Sequence, residues 1–390
     1  MSFKKNIRLL TWFNFFTDFK LYGPIVIIYF SRVSHSYALG ASIFSIIYIV
    51  SAVFDVPTGI FADRVGRKKT MILGAGFSVL AVLFYAIGGH YWFLAVGALF
   101  EGFSRAFYSG NNNALLHNML SEEGIENDYH TYLGKLSSMF QIALGTAGIL
   151  GAIIANWSFP LVMWISVIPQ FLCLLISFQI TDINNISNEK RNVLADLKEG
   201  IYAFTHNKNL QLLSITDIID SGLEETSYQF QTAFFTTLIP IWAVGIVKSL
   251  SNMVAAIGFH FSGKVINKFK ALPVLLFGEI YTKISSFTAL IFPSIFSPIL
   301  MTSNSLFFGF GTVASGSLMQ KEFTDKQRAT MSSLNSFGGS LFFGIIAVVT
   351  GFSADKLGPR GAMLIIETMS LVVVGLIWKL YKINKNQTAI

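Results

Sequence analysis

The chain has 390 residues, of which 53% are hydrophobic and only 13% charged, with a mean hydropathy of +0.59. Soluble globular domains carry about 25% charged residues, and so apolar a surface would not stay dispersed in water. The net charge of +7 lies mostly in short loops between apolar runs, without a nucleic-acid-binding motif, and the single cysteine, Cys173, excludes an internal disulfide and a cysteine-rich metal site.

The N-terminus, residues 1–8, is short and basic and runs into an apolar stretch without a small-residue cleavage site. This predicts a retained first helix rather than a removed signal peptide. Runs long enough to cross a bilayer, about 20 residues, then follow in order. The first half holds 8–31, 38–61, 70–89, 91–118, 132–155 and 159–180. They are continuously apolar and twice the length of a barrel strand, which selects helices. Span 1 carries Asp18 and Lys20, span 2 Asp55, and span 4 Glu101 and Arg105 at i, i+4. Between spans 2 and 3 lies the sequence Gly59-Ile60-Phe61-Ala62-Asp63-Arg64-Val65-Gly66-Arg67-Lys68-Lys69. Gly66 allows a tight turn, and Asp63 can cap a helix start or pair with Arg67. Span 5 offers Gly145, Gly148 and Gly151 for close packing.

A polar linker, 181–207, separates a first domain (1–180) from a second (208–390). Residues 193–204 show helical apolar spacing, which predicts an amphipathic helix on the membrane surface. The second half holds spans 209–235, 238–261, 272–292, 295–320, 330–353 and 362–381. Span 7 carries Asp217, Asp220, Glu224 and Glu225, the first three at i, i+3 and i+7 on one face. Span 8 carries Lys248, span 9 Glu279 and Lys283, and span 12 Glu367. The Glu279–Lys283 spacing suits neutralisation within one helix.

With the N-terminus inside, the inside segments hold 21 lysines and arginines and the outside segments 3, namely Arg32, Lys356 and Arg360. That asymmetry predicts both termini in the cytoplasm. The halves also echo one another. Gly59, Asp63, Arg64 and Gly74 recur 204 residues later as Gly263, Asn267, Lys268 and Gly278, and Ser109-Gly110 recurs as Ser315-Gly316.

The segment Gly59 to Lys69 resembles the major facilitator signature G-x-x-x-D-x-x-G-R-[KR]-x, in its expected place after the second span. Arg105-Ala106-Phe107-Tyr108-Ser109-Gly110 is similar to a pattern of some bacterial exporters in that family. Two departures accompany the resemblance: Ala98 stands where family antiporters often carry a span-4 arginine, and span 5 lacks the family's glycine-proline stretch. The resemblance implies an all-α membrane protein of two pseudo-symmetric six-helix bundles, monomeric, with spans 1, 4, 7 and 10 lining a central cavity. It implies a conformational switch formed by Gly59, Asp63, Arg64, Gly66, Arg67 and Lys68, tying the two bundles together near Thr330.

Membrane-embedded charges mark a transport path. The expected substrate and proton site is Asp18, Glu101 and Arg105 with Asp217, Asp220 and Glu224. Three readings follow. The first is proton-coupled efflux of drug-like or amphipathic compounds through the cytoplasmic membrane. The second is import or facilitated passage of a sugar, peptide or organic anion, for which Arg105, Lys20 and Lys248 supply cations. The third is a membrane enzyme or receptor, against which stand six histidines at helix ends or in loops and the lack of nucleophile or nucleotide-binding motifs. No cofactor, metal or nucleic-acid partner is expected.

Overall fold

A computed structural model describes residues 3–125, 128–181, 202, 204–322 and 328–387. Among the described residues the architecture is all helical, with twelve membrane passes. Among the described residues, seven helices are long and apolar enough to qualify as spans by length and composition alone, one of them a merged pair. The remaining passes are interrupted or carry charge, and the interruptions position the polar residues.

The chain divides into two compact units, Met1–Lys190 with Pro240–Ser249, and Arg191–Ile239 with Leu250–Ile390. In the first unit the opening pass is not the single helix predicted. It is α1 (Phe3–Asp18) and α2 (Val26–Ser34), joined by an irregular stretch and a 3-10 turn, Gly23–Ile25. Pro24 is consistent with the break: it has no N–H for the Lys20 carbonyl four residues back, which accepts from Gly23 at 3.0 Å instead. The next passes are α3 (Tyr37–Val65) and α4 (Arg67–Ile87). Pass four splits into α5 (Tyr91–Tyr108) and α6 (Asn111–Glu122), because Gly110 takes a left-handed φ of 65° and a run of asparagines follows. Then come α7 (Tyr129–Ala155) and α8 (Phe159–Gln179).

Leu10 and Phe13 of α1, Met71 and Ala75 of α4, Leu115 and Leu116 of α6 and Cys173 of α8 form one buried cluster. Buried polar contacts join helices where apolar packing gives little preference over lipid. The Thr58 hydroxyl donates to the Ala106 carbonyl at 2.9 Å, and the Ser78 hydroxyl to Gln170 Oε1 at 2.6 Å. At Gly151 any Cβ would overlap the Leu21 carbonyl, so only glycine lets α7 lie against the unwound stretch of pass one.

The second unit contains α9 (Lys208–Phe235), most of α10 (Ile241–Phe269), α11 (Ala271–Ile291), α12 (Ser297–Thr302), α13 (Asn304–Glu322) and α14 (Arg328–Gln387). The last is two passes, broken at Gly358 with φ 73° ahead of Pro359. Pass ten, read from sequence as one run, is interrupted at Ser303. Arg360 donates to the carbonyls of Leu290 and Ile291 at 2.7 and 3.1 Å and so caps the end of α11. The expected surface helix at 193–204 lies largely outside the described residues.

The internal repeat extends to element boundaries. Tyr37–Val65 and Arg67–Ile87 recur 204 residues on as Ile241–Phe269 and Ala271–Ile291. The turn residue recurs too: Gly66 has φ 104° and ψ 148°, and Lys270 has φ 70° and ψ 156°. This backbone region is essentially reserved for glycine, so its retention at a lysine reflects the demand of the helix pair on the turn. The longer α10 also places His260 inside a helix rather than at its end. The Ser109-Gly110 echo is not structural: α13 runs unbroken through Ser315-Gly316.

Candidate functional site

The first unit holds a polar cluster at the break in pass one. Released from helical geometry after Asp18, Lys20 reaches α5 and donates to Glu101 Oε1 at 2.6 Å. Tyr85 of α4 donates to the other Glu101 oxygen at 2.9 Å. The ion pair of Glu101 is therefore with Lys20, 81 residues earlier, and not the i, i+4 contact with Arg105 that spacing suggests. The reason is the helix break, which the apolar run conceals. Arg105 is exposed and lays its guanidinium over the Tyr48 ring at 4.6 Å. Asp18, half-buried at the end of α1, is within electrostatic reach of both Lys20 and Arg105. Tyr22 is buried beside Tyr85, and its hydroxyl has no hydrogen-bond partner among the described residues. Tyr85 and Tyr22 were not legible as site residues, since nothing distinguishes them in sequence from other membrane tyrosines.

The second unit holds a larger, acid-rich cluster. Lys283 of α11 contacts Glu367 of α14 at 3.4 Å and Glu279, one turn back, at 3.7 Å. Ser227 of α9 donates to Glu367 Oε1 at 3.2 Å. Asp220 and Glu224 of α9 lie within electrostatic reach of Glu279 and Lys283. Asp217 and Asp220 are half-buried and Glu224 is exposed. Asp217 accepts from Ser315 of α13 at 3.4 Å, and Glu225 accepts from Gln229 at 2.8 Å. The Glu279–Lys283 pair is thus not self-contained. It meets the α9 acids through Glu367, whose role was hidden by its place on the last helix.

The signature segment forms a compact turn rather than a loop. Asp63 and Arg64 belong to the last turn of α3, Gly66 alone is the turn, and Arg67 opens α4. Arg67 Nη2 donates to Asp63 Oδ1 at 2.6 Å, and Asn111 of α6 donates to the Arg67 carbonyl at 3.1 Å. Gly59 faces open space, Arg64 is exposed and Lys68 half-buried. Asp63 retains 54% of its side-chain exposure, leaving an acceptor oxygen available despite the ion pair. The Thr330 side chain lies outside the described residues.

The sequence model described as "Major Facilitator Superfamily" matches residues 9–320. A Na(+), Li(+), K(+)/H(+) antiporter of Planococcus maritimus is 25% identical over 208 residues, 50% of this chain and 45% of the antiporter, so the aligned stretch spans under half of that relative. An uncharacterized MFS-type transporter of Bacillus subtilis is 20% identical, covering 86% of this chain and 87% of its own. Among solved structures, a single-substitution form of the nucleoside transporter NupG superposes with a TM-score of 0.82 at 15% identity, covering 97% of this chain and 100% of its own. A D-xylose-proton symporter superposes at 0.77 with 12% identity, covering 97% of each chain. At these identities the superpositions show a shared fold. With the family model matched over most of the chain, the signature turn in place and twelve helical passes, the chain belongs to the major facilitator superfamily, as a multi-pass membrane transporter.

Proposed function

We propose that this protein is a proton-coupled antiporter that exports cationic or amphipathic small molecules by alternating access. The observation that carries the reading is the acid-rich face of α9: Asp217, Asp220 and Glu224 on a membrane-spanning helix, with Glu224 open and the Lys283 ammonium within electrostatic reach of Asp220 and Glu224. Carboxylates exposed on such a helix are tolerated only along a water-accessible path, and an excess of acid over base in low dielectric takes up protons or a cation. The inside-outside asymmetry of lysine and arginine supports cytoplasmic termini and the cytoplasmic membrane.

A second reading is exchange of sodium or potassium for protons, favoured by the similarity to the Planococcus maritimus antiporter. Inside-out vesicles holding the protein separate the two. An imposed inward-acid pH gradient should drive uptake of lipophilic cations, and addition of such a cation should collapse the gradient. Gradient collapse on adding sodium or potassium alone would establish the second reading. Transport of sugars, nucleosides or organic anions with no response to pH would remove both.

Asp63 and Arg67 are proposed to act in the switch between states, the ion pair holding the Gly66 turn and the free Asp63 oxygen engaging a partner as one side closes. Asp63→Asn is expected to reduce turnover strongly while leaving membrane expression within about twofold, as a surface substitution of small thermodynamic effect would. Wild-type initial rates at equal protein would argue against the switch.

A further inference from the structure

Three consecutive asparagines, Asn111 to Asn113, interrupt pass four directly after Gly110. Amide groups inside a membrane protein take their partners from neighbouring helices. Gly110, with φ 65° and ψ −20°, separates two helical registers: the Ser109 N–H still closes on the Arg105 carbonyl, and the Ala114 N–H opens the next ladder on Gly110. The break turns the first residues of α6 toward two neighbours. Asn111, 1% exposed, donates from Nδ2 to the Arg67 carbonyl of α4 at 3.1 Å. Asn112 donates to Asn14 Oδ1 of α1 at 3.3 Å, and Asn14 donates to the Leu10 carbonyl at 2.9 Å. A carbonyl only accepts, so the Asn111 amide has one orientation, and its Oδ1 is left without a hydrogen-bond partner among the described residues.

Arg67 is thereby held at both ends. Its guanidinium reaches Asp63 on α3 at 2.6 Å, and its backbone carbonyl takes the Asn111 amide. Two further contacts fix the same corner. Thr70 donates its hydroxyl to the Gly66 carbonyl at 2.9 Å, and Tyr108 lies on Gly74, where a Cβ would stand 2.7 Å from its ring. An apolar side chain of asparagine's size would avoid the stranded Oδ1, so position 111 bears a cost that packing alone does not require. We infer that Asn111 is a positioning residue of the signature turn: it pins the Arg67 backbone to pass four, so that the Asp63–Arg67 pair forms in one place and the turn moves together with α6. The inference rests on the proposed switching role of Asp63 and Arg67 and deepens it.

Asn111→Leu in the full-length protein keeps a buried side chain of similar size and removes the donor. With tetraphenylphosphonium as the probe in proteoliposomes, the maximal rate should fall about three- to tenfold, the range of one interhelical hydrogen bond, with half-saturation within about twofold of wild type. In an Asp63→Asn background the same substitution should cost less than about twofold more, because both act through one pair. Asn112→Leu, which frees α6 from α1 alone, should multiply with Asp63→Asn. Effects of Asn111→Leu that multiply with a slow Asp63→Asn, or that are carried by half-saturation, overturn the inference alone. A wild-type rate in Asp63→Asn overturns the switch reading and the inference with it. Hydrogen exchange of the purified protein needs no substrate and decides the pinning where tetraphenylphosphonium is not carried. The backbone amides of residues 66–71 should exchange about tenfold faster in Asn111→Leu and at the wild-type rate in Asn112→Leu. Faster exchange throughout the first unit, or no change at this turn, overturns the pinning. Should Asn111→Leu not accumulate, Asn111→Ser, whose hydroxyl is too short to reach the carbonyl, carries the same expectations in both assays.

Discussion

Asp220→Asn and Glu224→Gln are each expected to reduce pH-gradient-driven transport to the level of protein-free vesicles. Both acids lie on α9 within electrostatic reach of Lys283 and Glu279, where a carboxylate in a membrane span marks the transport path. An amide keeps the shape and the hydrogen bonding of the acid but cannot exchange a proton, and the coupled step is lost. Asp217→Asn is expected to have a smaller effect, because Asp217 sits a turn away on Ser315. Substrate counterflow, which needs no net proton movement, separates coupling from binding. Counterflow that survives in Asp220→Asn while the pH-driven rate vanishes assigns the proton to that acid and the substrate to others. Unchanged pH-driven transport in all three variants would make these acids structural and α9 irrelevant to coupling.

Glu101→Ala is expected to give the largest loss of stability in the first unit. The carboxylate is buried, receives Lys20 at 2.6 Å and Tyr85 at 2.9 Å, and ties the unwound stretch of pass one to α5. Its removal strands a largely buried ammonium and a buried hydroxyl at once, and breaking one side of such a pair costs about 3–5 kcal/mol. Replacing both partners with apolar residues of similar volume, Lys20→Met with Glu101→Leu, removes the stranded charge and should recover most of that loss. Thermal unfolding of purified protein in detergent reads both variants. A single variant that melts with wild type would mean the pair contributes nothing. A double variant as unstable as the single would mean that the carboxylate acts through packing rather than through charge.

These two expectations sit on opposite sides of what could be read before folding. The α9 acids were legible because helical spacing alone places residues three and seven apart on one face, and α9 is an unbroken helix. The Asp63–Arg67 contact was legible for the same reason, at four residues apart with Gly66 between. The pairing of Glu101 was not. Spacing favours its neighbour at i+4, Arg105, but the chain unwinds after Asp18, ahead of the Gly23–Ile25 turn, and delivers Lys20 instead. A single proline inside an apolar run is a weak signal, because α3 and α8 carry Pro57 and Pro169 without breaking.

The sequence by itself determined the class, the number of passes and the turn that carries the family signature. Membrane insertion depends on the apolar content of a contiguous run, and charge bias depends on composition near the run's ends, so both are local properties. The tertiary structure alone decided which charges meet. Lys283 and Glu367 are 84 residues apart, and Lys20 and Glu101 are 81 apart. No periodicity links positions on different helices. Their contact depends on the rotation of each helix about its axis, which side-chain packing sets, and on where a helix stops.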